Sequence, residues 1–366
     1  MTETKKKTAF HGSDLERIAS FYGVPLSSLT GFGSNVNPLG ISPKLRAAIK
    51  THADCITHYP DRDYTALKAA ISAYTHASPG QILIGNGATE LIGLIIHALK
   101  PQNALLIGPS YSEYGRVIKR DGGTLTTWYL KEEEDFVPDM SDLKKALPGK
   151  DLLIICNPNN PTGTVIKRAD LTDLLQAAEE NGVFTMIDET YIEFTEAPSK
   201  VSAIPLVNTF KNLFVLRGVS KFFAAPGLRL GYAVTGNAPL METLKSVKDP
   251  WTVHTLAAEC APAMFADQAY IEETSLFTRT ERSRILKKLG AISNLKVYPT
   301  ETNFLLMKIL RDDLTSTELF EMGVRKGLVI RDCSSFPSLG NRHFRISLMQ
   351  KEDNDRLIAF LKEALN

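Results

Sequence analysis

The side chains that could do chemistry fall in a few short stretches. Lys221 follows the apolar run LFVL and stands between Ser220 and two phenylalanines. An amine among apolar groups gives up its charge more readily than one in water, which makes Lys221 a candidate Schiff-base nucleophile. Taken alone, such a lysine is also an ordinary surface residue with its stem along apolar groups. Asp188 closes the run FTMID, where an acid is costly to desolvate unless something cationic meets it, and a protonated pyridine ring would suit. Tyr191 can bring a phenol to the same place, while Glu189 and Glu193 read as solvent-facing charges. In ILIGNGATELIGLII a Gly-rich turn joins a strand to a helix. The backbone N–H groups of Gly87, Ala88 and Thr89 would hold a phosphate there, with the helix dipole behind them. Glu90 occupies the position where a dinucleotide fingerprint needs a third Gly or Ala, which disfavours a nicotinamide, and by itself the turn is an ordinary connection. NPNNPTG, residues 157–163, follows the run LLIIC and offers asparagine amides at the carboxyl end of a strand, although the same residues also build plain loops.

Elements that could position these groups are visible in the hydrophobic pattern. From about residue 80 to 235 the runs ILIG, ALLIG, LLIIC, FTMID, LFVL and GYAVT alternate with helical stretches, as in βαβ units with a sheet covered on both faces. A large domain is expected over residues 51–255. Beyond it come a long charged helix, the strands KVYP, NFLLMKI and HFRISL, a helix near 316–326 and a closing helix. These residues, 256–366, are expected to form a smaller α+β domain together with 1–50, which includes an amino-terminal arm.

The 366 residues are 43% hydrophobic, enough for a large core and two linked lobes. Lys plus Arg number 42 against 41 Asp plus Glu, which leaves no overall field to hold nucleic acid or a membrane surface. The four cysteines are far apart and no metal-ligand spacing occurs, so no metal is expected. The longest apolar stretch, LIGLIIHAL, is too short to cross a bilayer, and a soluble cytoplasmic protein is expected.

In their order along the chain these motifs resemble the fold-type I pyridoxal-phosphate enzymes, the aspartate aminotransferase superfamily. That resemblance implies an α/β fold with a mostly parallel seven-stranded sheet, a smaller α+β domain, and pyridoxal 5'-phosphate (PLP) as cofactor. It implies that Lys221 bonds to the cofactor's aldehyde and that Asp188 keeps the pyridine nitrogen protonated. Asn160 and Tyr191 would donate to the phenolic oxygen, and Tyr111 would stack on the ring. Gly87, Ala88, Thr89, Ser220 and Arg229 would form the phosphate cup. Tyr59, in THYPDRDY, would reach the cofactor phosphate of a second copy, which implies a homodimer with shared sites. Arg345 would bind the substrate carboxylate, with a buried salt bridge as its other reading. Many relatives carry Ser or Thr three residues before the lysine, where this chain has Gly218. One phosphate hydrogen bond, of about 0.5–1.5 kcal/mol, is therefore in question.

Within the superfamily, the stretches YPDRDY, SKFFAAPGLRLGY, DPWTVHTLAA and VIRDCSSFPSLGNRHFRIS are similar to the threonine-phosphate decarboxylases, with the histidinol-phosphate aminotransferases next. The amino-terminal stretch FHGSDLERIASFYGVPLSSLTGFGSNVNPLG is similar to them as well, except that Ser13 stands where their pattern has a second glycine. The likeness implies a small phosphorylated amino-acid substrate, its phosphate held by Arg331 and His11, with Asn37 and Asn160 orienting it. Arg331 could instead be a rim salt-bridge residue. The reaction expected is decarboxylation of O-phospho-L-threonine to (R)-1-aminopropan-2-yl phosphate in cobalamin biosynthesis. The alternatives are amino transfer from histidinol phosphate or a related amine, decarboxylation of O-phospho-L-serine, and a non-catalytic PLP-binding regulator module.

Overall fold

The computed structural model describes Phe10 and residues 12–366. By contact the chain divides into a larger unit, 36–279 with 299–302, and a smaller one, the residues before 36 with 280–298 and 303–366. The larger unit takes residues 36–50 and 256–279, which the pattern of the sequence grouped with the smaller lobe. Helix Thr255–Phe265 packs on helices Pro43–Thr51 and Thr65–Thr75, and this long-range packing leaves no mark in local periodicity.

A seven-stranded sheet organises the larger unit. Its strands are β1 (Ile82–Gly85), β2 (Asn103–Gly108), β3 (Thr124–Tyr129), β4 (Leu152–Cys156), β5 (Phe184–Asp188), β6 (Leu213–Gly218) and β7 (Gly231–Thr235). They lie in the order β1-β7-β6-β5-β4-β2-β3. β4 and β6 are buried at every residue, which is why they read as unbroken apolar runs. The edge strand β3 alternates between exposed and half-buried residues and has no such run.

Only β7 runs against its neighbours. The carboxyl ends of the parallel strands and the amino end of β7 therefore share one edge, the edge at which open α/β sheets bind ligands. Helix Gly87–Leu99 covers one face. Its Leu91, Ile92, Ile95 and Ile96 pack with Leu83, Leu106, Ile154 and Leu216 in one core.

Arg217 and Gly218 are successive strand residues and so face opposite sides of the sheet. On its side the Arg217 guanidinium meets Glu189 at 2.8 Å and Glu193 at 3.5 Å and donates to Ser202 Oγ. Both glutamates are buried, contrary to their reading as solvent-facing charges, and burial pushes the Glu193 carboxyl up to about 7 despite the nearby arginine. The cation that keeps them inside comes from a strand more than twenty residues away.

The smaller unit holds an antiparallel sheet in the order 331–332, 343–347, 304–309, 295–297. Helices Ser316–Arg325 and Lys351–Leu365 belong to it, and Leu305, Met307, Leu319, Phe344, Ile346, Leu357 and Leu361 fill its core. Thr30–Gly31 and Leu328–Val329 add a short parallel pair. Among the described residues no helix is long and apolar enough to cross a membrane, and no His, Cys, Asp and Glu group could hold a metal ion.

Candidate active site

Five loops leave the shared edge of the large sheet, and each carries a residue singled out in the sequence. β1 leads into the turn at Asn86 and helix Gly87–Leu99, with Thr89 exposed at its first turn. Gly87 has φ +74°, and a Cβ there would stand 2.7 Å from an Arg229 nitrogen. Glycine therefore lets the guanidinium lie directly on the start of the helix. Arg229 itself, exposed and with φ +50°, lies two residues before the start of β7. Gly231 closes the same approach, since a Cβ there would come within 2.7 Å of the Gly87 carbonyl carbon and the Ala88 nitrogen. Helix N–H groups and an arginine thus converge, a donor set that fits a phosphate.

Asp188, at the end of β5, is buried. Its Oδ2 accepts from the Tyr114 hydroxyl at 2.7 Å, and its Oδ1 accepts from the Thr190 N–H and hydroxyl at 2.9 and 2.6 Å. Burial pushes its carboxyl up, and these hydrogen bonds from neutral donors oppose the shift. A ring nitrogen carrying a proton would supply a cation to this buried carboxylate. Tyr114 and Thr190 escaped the reading of the sequence. Tyr114 stands three residues after Tyr111, and i,i+3 spacing on helix Ser112–Arg120 was the available signal. The Tyr111 ring lies edge-on to Tyr114, with centroids 5.7 Å apart. Burial also pushes the Cys156 thiol up to about 12, with Asp188 adding to the shift, so this cysteine is an inert neighbour.

Tyr191 is buried just beyond β5, and Asn160 is half-buried beyond β4, whose Cys156 is the register partner of Asp188. The other asparagines of that loop have structural work. Asn157 Nδ2 donates to Ile166 O and its Oδ1 accepts from Ile166 N, while Asn159 Nδ2 donates to Pro109 O and Thr162 Oγ1.

Lys221 is half-buried, with Ser220 likewise before it and Phe222 fully buried after it. Phe222 stacks edge-on against Phe194 and Phe223 at 5.2 Å, contacts worth about 0.5–1.5 kcal/mol each that hold the segment following the lysine. At Gly218 a Cβ would meet Ala88 Cβ at 3.7 Å and Thr190 Oγ1 at 3.9 Å, ordinary van der Waals contacts. Serine therefore fits. Gly218→Ser is expected to tighten PLP binding about 2- to 12-fold, the worth of one hydrogen bond of about 0.5–1.5 kcal/mol, in an equilibrium titration. Unchanged affinity would show that the added hydroxyl misses the phosphate.

In the smaller unit Arg331 and Arg345 are register partners on adjacent antiparallel strands, so both side chains share one face. Arg331 is half-buried, donates to Phe10 O and to Ser335 Oγ at 3.1 Å, and lies over the Phe336 ring. Arg345 is buried, donates to Gly33 O at 2.7 Å and lies over Phe304. Like charges directly opposite each other are unfavourable, and two anionic groups would relieve them. Tyr59 is 76% exposed and stacks on Trp251 at 4.9 Å. His11 lies outside the described residues. Asn37 is buried, and every polar atom of its side chain is engaged within the protein.

Residues 27–361 match the model of the family described as aminotransferase class I and II. The chain belongs to that family. Enzymes of this class I and II aminotransferase family use PLP, and the donor set described above fits it: Lys221 for the aldehyde, Asp188 for the ring nitrogen, and Arg229 with the start of helix Gly87–Leu99 for the phosphate. Among its relatives, threonine-phosphate decarboxylase of Salmonella typhimurium is 32% identical over 355 residues, covering 97% of this chain and 96% of that one. The solved structure of histidinol-phosphate aminotransferase from Clostridium acetobutylicum is 32% identical, with a TM-score of 0.86, and the match covers 92% of this chain and 98% of that one. The same fold, at 24% identity and a TM-score of 0.86, occurs in a PLP complex of histidinol-phosphate aminotransferase from Sinorhizobium meliloti, over 100% of this chain and 97% of that one.

Proposed function

We propose that this enzyme decarboxylates O-phospho-L-threonine to (R)-1-aminopropan-2-yl phosphate in cobalamin biosynthesis, acting in the cytoplasm as a homodimer. The observation that carries the substrate class is the cross-strand pair Arg331 and Arg345, two cations on one face suited to a molecule bearing both phosphate and carboxylate. Decarboxylation is supported by the relative of that name, matched along almost the whole chain, and by the decarboxylase-like stretches around Lys221 and Arg345. Pairing of two copies is supported by exposed apolar side chains, Tyr59 at 76% in contact with Trp251 at 41%, and Ile56 at 71% three residues before Tyr59.

PLP, when bound, supplies an electron sink that lets a bond at the substrate's α-carbon break with its electron pair left behind. The protein decides which bond that is. Arg345 holds the carboxylate and Arg331 the phosphate, and together they set the orientation of the α-carbon. Asp188 keeps a proton on the ring nitrogen. Once carbon dioxide has left, the Lys221 ammonium group can deliver to the α-carbon the proton that replaces it. Serine phosphate lacks one methyl group, which a pocket discriminates by about 1–3 kcal/mol, so it is a slower alternative substrate.

Product analysis tests the proposal. Threonine phosphate is expected to yield equimolar carbon dioxide and aminopropanol phosphate with no 2-oxo acid. Amino transfer from histidinol phosphate to 2-oxoglutarate, without release of carbon dioxide, would overturn it and support the second reading, which rests on the likeness to the aminotransferase structure.

A further inference from the structure

We infer that Asn37 is a positioning residue for the cofactor-binding lysine: it clamps the backbone of Lys221 and Phe222 and so fixes where the Lys221 amine can reach. The Asn37 N–H donates to Lys221 O at 3.0 Å, and its side-chain Nδ2 donates to Phe222 O at 2.9 Å. Two successive carbonyls, the first on the lysine itself, are therefore held by one residue nearly two hundred positions away. The same Nδ2 is shared with the Tyr270 hydroxyl at 2.9 Å and Thr274 Oγ1 at 3.1 Å. Tyr270 in turn donates to Gly40 O at 2.7 Å and lies 3.1 Å from Phe222 O. Asn37 Oδ1 accepts from Leu39 N at 3.0 Å, which closes the loop on itself. All these residues belong to the larger unit, and Asn37 is 3% exposed.

The physical need for such a clamp is plain. A lysine amine sits at the end of four rotatable bonds, so its reach is defined only if its own Cα is held. The backbone after Lys221 turns sharply: Ala224 has φ +51° and donates its N–H to the same Lys221 carbonyl at 3.2 Å. Replacing the Asn37 side chain leaves its backbone N–H near the Lys221 carbonyl but takes the amide donor from Phe222 O and unties residue 37 from Tyr270, Thr274 and Leu39 N, so that N–H is no longer held in place. An amide is suited to the task because it donates two N–H groups and accepts at its oxygen without bringing a charge into the core. Asn37 acts in this way on the free enzyme and its cofactor, whichever bond of the substrate is broken.

The test compares two forms of the cofactor in the absence of substrate. PLP bonds to the lysine, whereas pyridoxamine 5'-phosphate has an amine in place of the aldehyde and cannot. For Asn37→Ala the rate and affinity of PLP capture, followed by absorbance and by borohydride-fixed label on Lys221, are expected to fall about 10- to 100-fold, the scale of an ångström-sized misplacement. Affinity for pyridoxamine 5'-phosphate is expected to stay within about twofold. Tyr270→Phe and Thr274→Val, which each remove one partner of the Asn37 amide and leave the amide itself in place, are expected to shift PLP capture in the same direction by a smaller factor, and they carry the comparison if Asn37→Ala does not fold. Equal loss of both cofactor forms would overturn the inference by showing a general defect. So would normal PLP capture in all three variants, including the case where Asn37→Ala raises only KM for the amino substrate.

Discussion

Lys221→Ala is expected to lose the visible absorbance band of bound PLP and to lower turnover at least about 10²–10⁴-fold, the range that a positioned proton-transfer group supplies. The covalent attachment of the cofactor is lost as well, so the measured fall should lie at or beyond the upper end. The fold is expected to survive. The backbone contacts of residue 221, its carbonyl with Asn37 N and Ala224 N, do not depend on the side chain, and Phe222 keeps its aromatic neighbours. Thermal unfolding of the apoprotein should therefore change little, within about 0.5 kcal/mol, since Lys221 is only half-buried. Addition of a small primary amine should restore part of the turnover by replacing the proton carrier. A retained band that borohydride reduces onto the protein would remove Lys221 from its role.

Asp188→Asn separates what this carboxylate does with cofactor and without it. In the cofactor-loaded enzyme its charge keeps a proton on the ring nitrogen, and removing a preorganised electrostatic partner of this kind is expected to cost about 10²–10³-fold in turnover. In the apoprotein the sign is opposite. Burial raises the carboxyl's pKa above its value in the unfolded chain. The associated stability is fully present below the unfolded pKa and is lost as pH rises through the folded value, because the ionised form must then be held in the core. Asparagine has no such ionisation, and its NH2 can donate to Tyr114 while its oxygen still accepts from Thr190. The Asn variant of the apoprotein is thus expected to be more stable than the parent near neutral pH, with the advantage vanishing on acidification. Urea titrations across the acid range would show this. An equal, pH-independent loss of stability would mean that the hydrogen bonds to Asp188 outweigh its desolvation.

Much of the architecture was legible because it is written in local patterns. The strands predicted at ILIG, LLIIC, FTMID, LFVL and GYAVT are present with close to those limits, since a strand buried on both faces must be apolar throughout. β3 carries no such run: at the sheet edge TLTTWY needs only alternation, which five or six residues display weakly. The long helix Gln268–Leu289, the helix Ser316–Arg325 and the closing helix Lys351–Leu365 also follow the periodicity of their stretches.

The chemistry was legible as residue types in order: a lysine, an acid after a strand, a Gly-rich turn before a helix, and an arginine after Pro-Gly. What joins them is decided by pairing across the chain. The antiparallel insertion of β7 between β1 and β6 lays Arg229 on Gly87, and no local property of either residue foretells that contact. Tyr114 on Asp188, Arg217 between Glu189 and Glu193, Arg331 beside Arg345, and Asn37 beneath Lys221 are likewise long-range. The sheet-forming runs and the reactive groups are legible along the chain because backbone propensity and side-chain chemistry are local properties, and the order of those groups carries the resemblance that implies the cofactor. Which charges are buried, which donors hold Asp188, and that Asn37 grips the lysine's backbone emerge only in the folded chain. Those depend on register and packing between segments far apart in the chain, where a one-residue slip would exchange every partner.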